Sequence, residues 1–317
     1  MRKIIIDTDC GSDDAVAIAM ALKEPSVVIL MISTVVGNTS MQQATANTLT
    51  TLGYADTYYP PVYKGIERPL LKKPFYAFET HGDDGMGDIG LVPPKGAKAA
   101  DGHGVTKMLE TLMAHEPNTV ELICLGPLTN IAVAISLSLE TMQRAKSITI
   151  MGSAGFGIGN VTPVAEFNIL HDAEAAKIVL DSGLPIMFVG WDACLGDAIF
   201  DEDDIKRLRA TGSLGNFMID CNKSLIEFNV NRFEREILDF ADPVAMAVAL
   251  WPEVITQCDK YHCEVDVSDG PGYGALIIDR NNEFGGEPNA HVCTRVNADL
   301  YKEKLFHIVS PFYVTDR

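Results

Sequence analysis

Arg2-Lys3-Ile4-Ile5-Ile6-Asp7-Thr8-Asp9-Cys10-Gly11-Ser12-Asp13-Asp14 runs three isoleucines into four carboxylates. The isoleucines predict a covered strand, because β-branched side chains fit a pleated, packed surface. Gly11 and Ser12 break that strand, and Asp13 and Asp14 open an apolar run over 15–22. The run is apolar on nearly every face, which predicts a helix buried inside a larger fold. Aspartates in a helix's first turn complement its positive end. That accounts for Asp13 and Asp14, but not for Asp7 and Asp9, which precede the turn. Two carboxylates about 4 Å apart repel by roughly 4 kcal/mol at an effective dielectric of about 20. Several gathered at one strand end therefore require a cation or a proton.

Outward from this stretch, a second apolar strand is predicted over 27–36, ending at Gly37-Asn38-Thr39-Ser40, with a helix over 41–52. The order β-α-β-α predicts a parallel sheet with helices on both faces. Residues 53–100 read as a long excursion with a short strand at 61–63, and loops of that length are uncommon unless functional. Its most polar stretch, His81-Gly82-Asp83-Asp84-Gly85, reads as an active-site flap or as a solvated loop tip. The alternation then resumes. A helix over 105–115 leads to a strand over 120–125 that ends at Gly126-Pro127, and a helix follows over 128–139. A strand over 147–151 opens a glycine-rich loop through Gly159-Asn160. Glu166, Asn168 and His171 precede a helix over 173–180, and a strand over 185–189 ends at Gly190-Trp191-Asp192. Mostly helical sequence over 202–250 holds Asp239 and Asp242. A strand-rich portion with a turn at Pro271-Gly272-Tyr273-Gly274 and a helix over 298–309 complete the chain. The expected fold is a single α/β domain over 1–317, with an open, mostly parallel, Rossmann-like sheet. Ligands in such sheets bind beyond the carboxyl ends of the strands.

The bulk properties narrow the chemistry. A chain of 317 residues that is 47% hydrophobic can bury a large core. With 25 basic and 43 acidic residues, its charge of −18 argues against a nucleic-acid partner but not against a neutral small substrate or a cation. Seven cysteines at irregular spacings fit a reduced, cytoplasmic protein. Cys258, His262 and Cys263 lack the second pair that a zinc site requires. No basic-then-apolar leader precedes Ile4, and no apolar run reaches the roughly 18 residues of a membrane span. A soluble protein with no membrane partner is expected.

The first turn lacks Gly-x-Gly-x-x-Gly spacing and the Lys-Ser/Thr of a phosphate loop, and its carboxylates would repel a phosphate. Oxygen-only ligands suit calcium or magnesium rather than zinc or copper. Two carboxylates do not fill a calcium shell of about six to eight oxygens. Asp242 is a candidate further ligand, with helix capping ahead of Pro243 as its ordinary alternative. Asn38, Asn160, Glu166 and Asn168 offer groups suited to a hydroxyl-rich ligand. Each alone is more often a turn residue; their placement at successive strand ends is what points to a site.

These residues resemble a known family. Asp7-Thr8-Asp9-Cys10-Gly11-Ser12-Asp13-Asp14-Ala15 resembles the N-terminal signature of the inosine–uridine-type nucleoside hydrolases. Gly37-Asn38, Leu125-Gly126-Pro127-Leu128-Thr129-Asn130, Gly159-Asn160-Val161-Thr162-Pro163, Ala165-Glu166-Phe167-Asn168 and Asp242-Pro243 continue the match in order. The resemblance implies calcium held by Asp9, Asp14, Asp242 and the Leu125 carbonyl. It implies ribose contacts from Asp13, Asn38, Asn160, Glu166 and Asn168 with Met151 nearby, and Asp9 as the general base toward water. It further implies a homodimer or homotetramer acting on nucleosides. Asp7 is left as support behind the ligands.

Two positions depart from the family pattern. Many members carry a histidine, a proposed leaving-group acid, where this chain has Ala241, and proline is common where it has Cys10. General acid catalysis contributes about 10² to 10⁴ in rate, so the base half of the site is where the sequence is least complete. Cys10 reads as a neutral thiol near the base or as a small buried substitute for proline. His81, Arg232 and Glu234 are other base-side candidates. Competing readings are a haloacid-dehalogenase-like phosphatase, which Asp7-x-Asp9 resembles but Gly11 does not suit, and a non-catalytic nucleoside- or sugar-binding protein.

Overall fold

Ile4, Ile5 and Ile6 lie fully buried in strand β1 (Arg2–Thr8), at the centre of a computed structural model that describes residues 1–310. Eight further strands join it: β2 (Val27–Thr34), β3 (Val62–Lys64), β4 (Val120–Cys124), β5 (Ser147–Met151), β6 (Ile186–Val189), β7 (Ile255–Val265), β8 (Leu276–Asp279) and β9 (Ala290–Val296). Their order across the sheet is β3-β2-β1-β4-β5-β6-β9-β7-β8. The strands from β3 to β9 in that order run parallel, while β7 pairs antiparallel with β9, and β8 with β7. The expected mostly parallel α/β sheet is thus observed, with an antiparallel edge added by the strand-rich C-terminal portion.

Alternation along β1 sends Ile4 and Ile6 to one face and Ile5 to the other, into two separate apolar cores. The first core holds the helices Ser12–Lys23, Met41–Ala55, Ala241–Leu250 and Ala298–Val309; the second holds Gly104–Ala114, Thr129–Met142 and Ala173–Leu180. Each isoleucine contributes roughly 2–3 kcal/mol by leaving water. Every residue from Ser12 to Leu22 is buried, as an all-round apolar helix requires. Its alanines at 15, 17, 19 and 21 let the neighbouring helices approach closely.

Strand β1 is where the winding changes direction. The chain steps from β1 to β2 and β3 on one side, then crosses to β4, β5 and β6 on the other. The segments leaving β1, β2 and β4 diverge there and open the crevice that doubly wound sheets use for ligands. Differences from expectation are local. The helix expected over 128–139 continues to Met142 across a kink at Ser138, and the 53–100 excursion contains a four-residue helix, Phe78–His81. Among the described residues no helix is long and apolar enough to cross a membrane.

Candidate active site

Asp9 sits just beyond β1 and is wholly buried. The neighbouring strands meet it with glycines. A Cβ on Gly37, after β2, would lie 2.0 Å from Asp9 Oδ2, and one on Gly126, after β4, would lie 2.5 Å from Oδ1. No side chain fits at either position without displacing the carboxylate. Oδ2 accepts the Asn38 backbone N–H at 2.6 Å, whereas Oδ1 is buried with no partner.

Asp13 and Asp14 enter from the first turn of helix Ser12–Lys23, and Asp242 from the first turn of Ala241–Leu250. Asp242 is therefore a first-turn residue rather than the helix cap, which is Phe240. Carboxylate oxygens of Asp13, Asp14 and Asp242 lie within 4.8 Å of one another, all three residues buried. Asp13, expected on the sugar, thus stands among the acids, and Asp9 lies outside that closest triplet. Asp13 Oδ2 accepts the Asp242 backbone N–H at 3.3 Å, and its Oδ1 faces His81 Nδ1 at 3.9 Å. Asp14 Oδ2 accepts from the Gly11 N–H at 2.8 Å and from Asn38 Nδ2 at 3.3 Å, and its Oδ1 accepts the Thr8 hydroxyl.

Burial and mutual repulsion raise the pKa of these acids. Burial first, then Asp14, pushes Asp9 well above the usual carboxylate range; burial and Asp13 push Asp14 up to about 7. Asp242 is raised by burial, Asp14 and Asp13. Such a cluster is stable either protonated or with a cation among the charges. The donor set is oxygen-only and includes an unpartnered buried oxygen on Asp9. The Leu125–Gly126 backbone lies against Asp9, and the Leu125 carbonyl accepts Asn168 Nδ2 at 2.7 Å. These residues fit a hard divalent cation.

Asp7 has a different role. Its Oδ1 accepts the Ser33 hydroxyl and Asn130 Nδ2 at 2.7 Å, while its Oδ2 is buried without a partner and burial raises its pKa to about 7. Asn130 also donates to the Thr34 carbonyl at 3.1 Å and accepts the Ile66 N–H at 2.9 Å, tying β1, β2 and the excursion together. Asp7 is thus enclosed beneath the turn rather than presented as the nucleophile that the phosphatase reading requires.

The remaining candidates divide. Asn38 joins Asp9 to Asp14. Glu166 caps helix Phe167–His171, its oxygens accepting the N–H groups of Asn168 (2.8 Å), Ser153 (3.1 Å) and Ile169 (3.2 Å), and burial raises its pKa to about 7. Asn168 Nδ2 links the ends of β4 and β5 through Leu125 O and Met151 O, which leaves its Oδ1 for a ligand. Asn160 is exposed on the glycine-rich loop, where its Oδ1 accepts the Phe167 N–H at 2.9 Å.

On the base side, His81 is brought into the site and the other candidates are not. His81 Nδ1 accepts from the Ser12 hydroxyl at 2.8 Å and the Ser12 N–H at 3.3 Å, so its proton resides on Nε2. Burial lowers its pKa, against the pull of Asp13. Cys10 turns into the first core, its thiol pKa raised by burial and by Asp14. Its backbone N–H, which a proline would lack, donates to Thr8 Oγ1 at 3.1 Å and so directs the Thr8 hydroxyl proton toward Asp14. Arg232 is exposed over the rings of Phe228 and Phe233, at 5.9 and 5.4 Å, and Glu234 is exposed where that helix ends. Neither makes a hydrogen bond or ion pair with the acid cluster.

Sequence reasoning gave no role to Asn130, Ser12 or Asp192. Asn130 lies inside a quoted motif and could have been found there. Asp192 Oδ2 accepts the Phe156 N–H at 2.8 Å, against Gly155 and Gly190, and so anchors the glycine-rich loop. It was visible only as a polar residue at a strand end.

Comparison with known proteins adds independent findings. A family model described as inosine-uridine preferring nucleoside hydrolase matches residues 4–303. An uncharacterised Schizosaccharomyces pombe protein is 43% identical over 190 residues, covering 60% of this chain and 61% of that relative. The pyrimidine-specific ribonucleoside hydrolase RihB of Escherichia coli is 33% identical over 301 residues, covering 95% of this chain and 94% of its own. Among solved structures, a plant nucleoside hydrolase superposes with a TM-score of 0.91 at 27% identity, over 98% of this chain and 99% of that one.

Proposed function

Because the chain belongs to the inosine–uridine preferring nucleoside hydrolase family, we propose that it hydrolyses the N-glycosidic bond of ribonucleosides to free base and ribose, with calcium as cofactor. The observation that carries this reading is the buried, unpartnered Oδ1 of Asp9 beside three further buried acids at the sheet's crossover. Asp9, Asp14, Asp242 and the Leu125 carbonyl would hold the cation. When bound, calcium supplies the positive charge that keeps these carboxylates ionised and makes a nearby water more acidic.

The chain's own groups do the rest. Asp9 accepts the proton of the attacking water at its open oxygen. Asp13 and Asn38 orient the sugar hydroxyls from one side of the cleft; Asn160, Glu166 and Asn168, with Met151 behind them, do so from the other. Bond cleavage develops positive charge on the ribose, which a cleft lined with carboxylates stabilises. At the leaving base, Ala241 offers no proton, and we assign that part to neutral His81, which carries its proton on Nε2 while Nδ1 faces Asp13 at 3.9 Å. The seven free cysteines suit a reducing cytoplasmic setting, and the resemblance implies a homodimer or homotetramer there.

Ribose release from a panel of purine and pyrimidine nucleosides, assayed as reducing sugar with and without chelator, tests the reading. Activity lost on chelation and restored by calcium is expected. No ribose from any nucleoside would sink it; nucleoside binding without turnover would favour the non-catalytic alternative.

Ala241→His is expected to raise kcat/KM most for poor leaving groups such as inosine. A tenfold gain is a modest share of the about 10² to 10⁴ that general acid catalysis supplies. Equal kcat/KM values in the variant and the wild type would mean that another group already protonates the base, or that position 241 faces away from it.

A further inference from the structure

His171 ends the helix that begins beside Glu166 and carries Asn168, yet none of the roles above uses it. The residue is 1% exposed, and its imidazole lies between two rings, with centroids 5.0 Å from Phe75 and 5.6 Å from Phe167. Nε2 lies 3.1 Å from the Phe75 carbonyl, while Nδ1 is buried with no partner. A carbonyl can only accept, so the Nε2–H tautomer is fixed. Burial also pushes the imidazole pKa down to about 4, which keeps it neutral under ordinary conditions.

Phe75 lies near the end of a strap, residues 65–77, without regular secondary structure. Two residues on, the Ala77 N–H donates to the Asn38 carbonyl at 3.0 Å, and the Ala77 carbonyl accepts the N–H groups of Thr80 (3.1 Å) and His81 (3.0 Å). Asn38 in turn donates its own N–H to Asp9. Earlier along the strap, the Ile66 N–H donates to Asn130 Oδ1 at 2.9 Å and its carbonyl accepts the Val36 N–H at 3.1 Å, the Leu70 N–H donates to Asp172 Oδ2 at 3.0 Å, and Lys72 pairs with Asp269 at 2.7 Å. The His171 bond is the last tether before the chain enters the site.

We propose that His171 is a positioning residue: its Nε2–H, bonded to the Phe75 carbonyl, holds the strap so that Ala77 sets Asn38 and the short helix presents His81 to the substrate. It touches no reacting atom. It joins the Glu166–Asn168 side of the cleft to the Asn38–His81 side, so that both halves meet the substrate in one fixed geometry. The proposal rests on the nucleosidase reading for its effect on catalysis, but the tether itself can be measured without activity.

The test compares His171→Leu, of similar size without a donor, with His171→Gln, whose amide nitrogen can reach the place of Nε2. His171→Met is the second apolar variant should the leucine protein fail to fold. Deuterium uptake over residues 75–81 is expected to rise in the apolar variants and return to the wild-type level with glutamine. KM for nucleosides is expected to rise about tenfold, the scale of losing one hydrogen bond's net contribution, with kcat within about twofold and KM recovered by glutamine. Unchanged uptake would overturn the proposal, as would raised uptake with unchanged KM, or a glutamine variant as impaired as leucine. If the wild type releases no ribose, the nucleosidase reading fails separately and uptake alone decides whether the tether exists.

Discussion

Asp9→Ala is expected to reduce ribose release by at least about 10³, within the range of a lost general base before any loss of metal is added, while making the metal-free protein no less stable. Asp9 is wholly buried, and one of its oxygens has no partner. Burial and the neighbouring Asp14 both oppose its charge, so alanine relieves desolvation and repulsion together. Opposing this, alanine loses the Asn38 N–H contact and leaves a small cavity. Asp9→Asn separates the two effects, since its carbonyl can still accept from Asn38 without bearing charge. Scanning calorimetry with and without calcium gives the second readout. A ligand at 100 times its Kd stabilises the folded state by about 2.7 kcal/mol, and that gain should shrink in both variants. Near-wild-type turnover, or an undiminished calcium shift, would show that Asp9 is neither base nor ligand.

Stripping the metal should leave a protein that weakens as pH rises. Burial holds Asp7, Asp14 and Glu166 at about 7 in the folded chain, against about 3.9 and 4.3 for unfolded Asp and Glu. A raised folded pKa means that the native state binds protons the unfolded chain has released. The stabilisation is therefore complete below about pH 4 and lost as pH climbs through about 7. At 1.36 kcal/mol per pKa unit, three units amount to roughly 4 kcal/mol for each group. Thermal midpoints in chelator should fall between pH 5 and 8. Calcium should flatten the profile by stabilising the ionised Asp14, leaving the smaller slope due to Asp7 and Glu166. Chelated midpoints that rise over this interval would mean that these carboxylates are already ionised in the folded protein.

The sheet was legible because each central strand is a short apolar run ending in glycine or a polar turn, a local pattern that packing did not override. The acids around Asp9 were legible for a related reason: carboxylates at a strand end have few ordinary uses. Long-range geometry was not legible. Nothing in 53–100 marks Phe78–His81 as a helix, since four residues show no apolar period. The role of His81 depends on Ser12, 69 positions away. Cys10 could not be oriented from sequence, because whether a side chain at a tight turn faces core or cleft depends on the helix packed over it. Arg232 and Glu234 read as base-side candidates from a segment where the family resemblance is poorest, but their helix ends with both in solvent. The turn at Pro271-Gly272-Tyr273-Gly274 does lie between β7 and β8, but nothing local marked β7 as the strand that pairs antiparallel with both β8 and β9, because register depends on which face the neighbours bury.

The hydrogen bond from Asp242 to Asp13 joins positions 229 residues apart, and that separation can be read as time. At about 5–20 residues per second of synthesis, those 229 residues take roughly 11 to 46 seconds. Asp9, Asp13 and Asp14 thus leave the ribosome long before their last partner exists. During that interval β1 can pair with β2 and then β4, building the crossover around acids that still lack Asp242. The complete cluster of buried acids is consequently a late product of synthesis, since it requires the helix beginning at Ala241.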